Sequence, residues 1–148
     1  MPEAEADRQG GLREATRSGP GRVLIAVYAI FALAATARSV VQIILQFHRA
    51  PLAYLLSAFA GLVYIVATVC FARGSTTSRK VAIVSCTVEL VGVLVVGAVS
   101  LLVPSAFPDS TVWSAFGSGY GFIPVVLPIA GLLWIRRTDR AAAARTAS

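Results

Sequence analysis

The sequence predicts an all-α, polytopic membrane protein: four transmembrane helices in an antiparallel bundle, with both termini cytoplasmic. Three observations carry that expectation. Of its 148 residues, 57% are apolar and only 14% charged, a balance foreign to soluble domains. The apolar residues gather into four long stretches nearly free of charge. The basic residues behind the net charge of +6 are almost confined to the two tails and one short loop. Charge-directed topology distributes them so, whereas a nucleic-acid surface would bring a motif that is absent here.

Residues 1–22 mix Glu3, Glu5, Asp7 and Glu14 with Arg8, Arg13, Arg17 and Arg22, and carry Gly10, Gly11, Gly19, Pro20 and Gly21. With nothing to build a core, they read as a flexible cytoplasmic tail. The membrane domain covers residues 23–137. Its first span, at about 23–45, runs VLIAVYAIFALAATA, meets Arg38 and continues as SVVQIILQF. Pro51 opens the second span, at about 51–72, in a first turn where its missing N–H has no helical partner to lose. RGSTTSRK, residues 73–80, makes a short basic loop, and the third span, at about 81–103, holds Glu89 as its one charge before Pro104 ends it. Residues 104–119 are polar and aromatic by turns; Asp109 or Ser110 is placed to cap a short helix that fails at Gly117. The fourth span, at about 120–135, contains Pro124 and Pro128, and residues 138–148 form a basic cytoplasmic tail. As helices the spans reach roughly 24–34 Å, against a hydrocarbon core of about 30 Å. The fourth is the shortest, so Trp113–Gly119 is expected to dip into the interface.

Orientation follows from the basic residues. The two tails, the 73–80 loop and the segment after Ile135 contain every Arg and Lys except Arg38 and Arg49, which assigns both termini to the cytoplasm. Tyr54, Trp113 and Tyr120 near one face and Trp134 near the other suit aromatic belts. The basic N-terminal region, the apolar run from Val23 and Ala35-Thr36-Ala37 also resemble a cleavable leader. Apolar character that resumes at Val40, and four acidic residues ahead of the run, favour a retained first helix.

Two embedded charges are the candidate chemistry. On a helix Arg38, Gln42 and Gln46 recur at i, i+4 and i+8, a polar stripe along the outer half of the first span. Either Arg38 snorkels outward from about 23 Å above the inner end, or the stripe faces other helices or a wet cavity. Glu89 lies about 12 Å from the inner end, close to the midplane, where an ionised carboxylate needs a partner. Ser85, Cys86, Gly92 and Ser100 on its face are small enough for close helix approach, and Tyr64 of the second span is level with it as a hydrogen-bond donor. Glu89 is then either neutral packing glue between helices or a site of ion-coupled transport. Arg38 and Glu89 differ in depth by roughly 10 Å, so an ion pair is open but not required. Pro124 and Pro128 each remove an N–H, which frees the carbonyls of Tyr120 and Pro124. Either the former, near the depth of Arg38, accepts from its five donors, or the prolines only kink the helix and water or a neighbour satisfies the carbonyls. Ala53, Ser57 and Gly61, at i, i+4 and i+8, form a small-residue face for a tight crossing within the monomer or between copies.

No enzyme constellation is visible, and neither a cofactor nor a metal is expected. His48 stands alone in the outer loop, and no phosphate-cradling glycine loop occurs. Cys70 and Cys86 lie in apolar spans and read as small buried side chains. The lack of CxxC separates the chain from four-helix, quinone-linked disulfide-forming oxidoreductases.

The stretches YAIFALAATARSVVQI, PLAYLLSAFAGLVYIVATV, VELVGVLVVGAVSL and FPDSTVWSAFGSGYGFIPVVLP resemble small integral membrane proteins of actinobacteria, over residues 23–137. That group has no assigned activity, so the resemblance implies a membrane location and four helices but no reaction. Small multidrug-resistance exporters also pair four helices with one membrane glutamate. Theirs is in the first helix, while Glu89 is in the third. The expected function is a non-enzymatic protein of the cytoplasmic membrane, an accessory or scaffold component of a membrane assembly. Its expected partners are the lipid bilayer and either other membrane proteins or a second copy, without nucleic acid. The alternative is a small transporter or ion-coupled permease subunit using Glu89 and Arg38.

Overall fold

The computed structural model describes residues 2–147 and is all-α, with no strand among the described residues. Its helices are α1 (Pro2–Arg17), α2 (Gly19–Gln46), α3 (Pro51–Arg73), α4 (Thr76–Leu102) and α5 (Ile123–Ala147). Three of them are long and apolar enough to cross a membrane, with mean hydropathies of 2.0 for α2 with the turn after it and 2.3 for both α3 and α4. A fourth meets the same test only if the 3-10 segment Ser114–Tyr120 and α5, which meet at a 96° bend, count together. The outward faces of α2, α3 and α4 are largely apolar: Leu33, Ile44 and Leu102 are 74%, 73% and 81% exposed. Such broad apolar cover is compatible with a membrane protein.

Local chemistry sets the helix ends. The hydroxyl of Ser18 accepts from the Gly21 N–H at 3.3 Å, and Pro20 sits in the first turn, so α2 begins ahead of the apolar run. Gly74 takes the left-handed conformation (φ 63°) and returns its N–H to the Cys70 carbonyl, which ends α3. One residue later Ser75 accepts from the Ser78 N–H at 3.1 Å and starts α4. The basic loop expected over 73–80 therefore shrinks to two residues, and Arg79 becomes part of a helix. Successive long helices run in opposite directions, with the 74–75 turn beside α1 and the 47–50 turn at the other end.

The N-terminal segment is not the flexible tail expected for 1–22. Residues 2–17 form α1, with Glu3 and Glu5 in its first turn and Arg17 in its last, signs that suit the helix dipole. It docks on the far end of α5, which continues through the basic tail. Leu12 is fully buried, and a Cβ on Gly11 would lie 3.5 Å from that of Ala142. Gln9 bridges to the start of α4, donating to the Thr76 hydroxyl at 2.6 Å. Met1 and Ser148, the outermost residues of the two tails, lie outside the described residues.

The 104–122 segment also departs from expectation. Asp109 and Ser110 cap no helix; instead, residues 114–120 coil as 3-10 turns. Ala115, Phe116 and Gly117 have φ of 48°, 59° and 77°, a left-handed run that costs about 1–2 kcal/mol at each non-glycine residue. The compensation is packing. Trp113, expected in an interfacial belt, is 1% exposed and wedged between α3 and α4. Its ring and that of Phe116 occupy the space where Cβ atoms on Gly92 and Gly97 would stand.

The contact of α1 with α5 generates a pH prediction. Arg145, bonded to Glu14 at 2.5 Å, holds that carboxyl below the usual glutamate range, first through the hydrogen bond and then through charge. A lowered folded-state pKa adds stability above the ordinary glutamate value, lost as pH falls through the lowered one. Both groups are exposed, so the effect is small. Hydrogen exchange of the 2–17 amides is expected to be slower at pH 7 than at pH 3 after correction for intrinsic rates. Glu14→Gln should narrow the difference.

Candidate functional site

Polar side chains gather at three heights in the bundle. At the centre, Glu89 of α4 is fully buried. Its Oε2 accepts from the Tyr28 hydroxyl of α2 at 2.9 Å, and Tyr28 is equally buried. The same hydroxyl lies 3.3 Å from the Cys86 Sγ; with the tyrosine hydrogen given to Glu89, the thiol is the donor in that pair. Glu89 Oε1 has no protein hydrogen-bond partner. No arginine or lysine among the described residues pairs with Glu89, since the ion pairs join Arg49 to Asp109, Arg79 to Asp139 and Arg145 to Glu14.

Aromatic rings and close helix approach enclose this carboxyl. Tyr28 packs on Phe71 (5.3 Å between centroids) and on Tyr64 (6.2 Å). Gly131 brings α5 inward: a Cβ there would stand 3.0 Å from the Cys86 Sγ and 3.4 Å from the Tyr28 hydroxyl. Tyr64 does not bond to Glu89 as expected. Its hydroxyl instead accepts from the Trp113 indole N–H at 3.0 Å, tying the 104–122 segment to α3.

At the end away from the termini, Arg38 and Glu89 stay apart. Arg38 Nη1 donates to the Tyr120 hydroxyl at 2.5 Å, and Nη2 to the Ser110 carbonyl at 3.3 Å. The expected role of the Tyr120 carbonyl is corrected for a local reason. α5 begins at Ile123, so Pro124 falls in its first turn and frees no carbonyl; Pro128 is the proline inside the helix. Gln42 and Gln46 do not act together with Arg38. Gln42 Oε1 is buried without a partner, and Gln46 Oε1 lies 3.4 Å from the Tyr54 hydroxyl. Tyr54 gives its one hydrogen to Asp109, which pairs with Arg49 at 3.4 Å. On α3, Ala53, Ser57 and Gly61 are all buried, and a Cβ on Gly61 would come 2.9 Å from the Thr36 Oγ1 of α2. That face is used within the chain.

At the terminal end, Arg79 is 3% exposed. It pairs with Asp139 at 2.9 Å, donates to the Ile135 carbonyl at 3.2 Å and to the Thr138 hydroxyl, and lies 5.0 Å over the Trp134 ring. Its position in a run of loop-like residues hid this role. Tyr28 was equally inconspicuous, one aromatic residue among apolar neighbours.

No protein-family model matches the chain, no curated protein is similar to it at a significant level, and no solved structure matches it at that level. Among the described residues, no three of His, Cys, Asp and Glu come together as a metal-binding group.

Two substitutions probe the centre. Tyr28→Phe removes the one protein donor to Glu89 and is expected to lower stability by about 1–2 kcal/mol in detergent, read by thermal unfolding. Glu89→Gln should cost less, because its amide oxygen still accepts from Tyr28. In a double-mutant cycle, Tyr28→Phe should cost little on a Glu89→Ala background, since the partner is already gone.

Proposed function

We propose that this chain is a non-enzymatic integral membrane protein that serves as an accessory or scaffold component of a membrane assembly. In this reading four segments cross the cytoplasmic membrane, α5 completing its crossing through the bent segment before it, and both termini face the cytoplasm. The observation that carries the proposal is the enclosure of Glu89. A carboxyl fully buried among Tyr28, Cys86 and aromatic rings, with no cation beside it, acts as a joint between α2 and α4. Transport asks such a group to meet water from both sides in turn; catalysis asks for a neighbouring acid, base or nucleophile that substrate can reach. The resemblance of residues 23–137 to small membrane proteins without assigned activity belongs to the same reading and adds location rather than chemistry.

One observation favours the ion-coupled permease alternative. Glu89 Oε1 lacks a hydrogen-bond partner, and an unsatisfied buried oxygen is where a proton or ion would bind. Reconstituted vesicles separate the two. The scaffold reading expects proton flux equal to that of empty vesicles, with a membrane protein co-purifying at constant stoichiometry in mild detergent. A proton-linked flux abolished by Glu89→Gln, from a chain that purifies alone, would replace it with the permease reading.

The orientation rests on the positive-inside distribution. Cysteines introduced at Ser75 and Ala141 are expected to react only with reagents admitted to the cytoplasm, and one at Ser110 with an impermeant reagent outside. Labelling of the Ser75 position in intact cells would invert the topology.

A further inference from the structure

Beside Arg38 a cleft of about 220 Å³ opens on the flank of the molecule, between α2 and the start of α5. Its walls are largely apolar, with Ile30, Phe31 and Ala34 from α2, Val112, and Ile123 from α5, and Ser57 of α3 also lines it. Ile30 and Ile123 are exposed, so the cleft faces sideways, toward whatever surrounds the helices. From Ile30 to Arg38 it follows α2 for about 12 Å at the helical rise. Arg38 is the last α2 residue along it, and Tyr120 packs on Phe31 (5.9 Å between ring centroids) and meets Arg38 there.

The closing pair is unusual in charge. Arg38 spends two of its five N–H donors on neutral oxygens, the Tyr120 hydroxyl and the Ser110 carbonyl. No carboxylate among the described residues pairs with it: Asp109, at the same end, is engaged by Arg49 and Tyr54. The Tyr120 hydroxyl accepts from Arg38, which leaves its own hydrogen to donate outward. A fixed, half-buried cation with unused donors therefore stands at the head of a chain-shaped apolar slot.

We propose that this cleft is a binding site for an anionic glycerophospholipid. One acyl chain lies along Ile30, Ala34 and Ile123, while the phosphodiester oxygens accept from Arg38 and Tyr120. A guanidinium fork and a hydroxyl together match a phosphodiester, whose non-bridging oxygens accept several hydrogen bonds at once. Sideways opening lets a lipid enter without leaving its leaflet. The site rests on the membrane placement proposed above. That placement fails separately, if the chain is extracted from membranes without detergent.

The test is the thermal stability of the full chain in a neutral detergent, with added phosphatidylglycerol, phosphatidylcholine, oleate or inorganic phosphate. Phosphatidylglycerol is expected to raise Tm by about 5 °C, the scale of a ligand well above its Kd, and the other three to have little effect. Arg38→Gln should remove that rise. Ala34→Trp should remove it too, by filling the slot at an exposed position while leaving Arg38 in place, so the test survives if Arg38→Gln fails to fold. Equal stabilisation by phosphatidylcholine would show no charge selection and overturn the site. An equal effect of oleate or of inorganic phosphate, or an undiminished rise in Ala34→Trp, would overturn it as well.

Discussion

A tyrosine hydroxyl donating to a carboxyl oxygen, both fully enclosed, organises this molecule. Burying two polar groups is costly unless they meet, and their net worth once met is modest. The bond between Tyr28 and Glu89 therefore constrains more than it stabilises: α2 and α4 have one relative rotation and height at which it forms. Other contacts follow from it. Gly131 lets α5 come close enough to cover the Cys86 thiol and the Tyr28 hydroxyl. Phe71 and Tyr64 cover the tyrosine ring from α3, and Trp113 closes the space beside Gly92.

The two ends of the bundle are held by different means. At the terminal end the clasp is ionic and partly wet. Arg79 holds the middle of α5 through Asp139, Thr138 and the Ile135 carbonyl, and α1 lies against its later part. At the other end a short irregular segment replaces a helix. Its left-handed run through Ala115, Phe116 and Gly117 aims aromatic side chains into gaps left by two glycines of α4. Strain in the backbone is offset by the burial of an indole that also finds a hydrogen-bond partner in Tyr64.

The helical class was legible because apolar length is a local signal, and so was the start of α3 at Pro51. The starts of α2 and α4 lay four and five residues earlier than expected, since the serines that cap them sit in stretches read as tail and loop. Glu89 and Arg38 stood out for the same reason, as charges in apolar runs. What escaped was non-local. Tyr28 looks like any aromatic residue in a hydrophobic stretch, and only the packing of the helices brings its hydroxyl to Glu89. Tyr64 was placed at the right depth, but the unexpected insertion of Trp113 engaged it first. α1 was missed because its one large buried apolar side chain, Leu12, finds its partner surface at the opposite end of the sequence. Its interior glycines, Gly10 and Gly11, also lower helix propensity, which argued against a helix there.

In the membrane placement proposed above, the 96° break before α5 bears on how the chain sits in lipid. From Ile123 to Ile135 the apolar part of α5 is about 20 Å long, against roughly 30 Å of hydrocarbon. The other helices match or exceed that thickness, so hydrophobic mismatch is concentrated on one flank. With α5 placed so, lipids beside it would thin or tilt to meet it, at a fraction of a kcal/mol per Å. This asymmetry makes the α5 flank the place where membrane thickness, and with it acyl-chain length, acts most strongly on the protein.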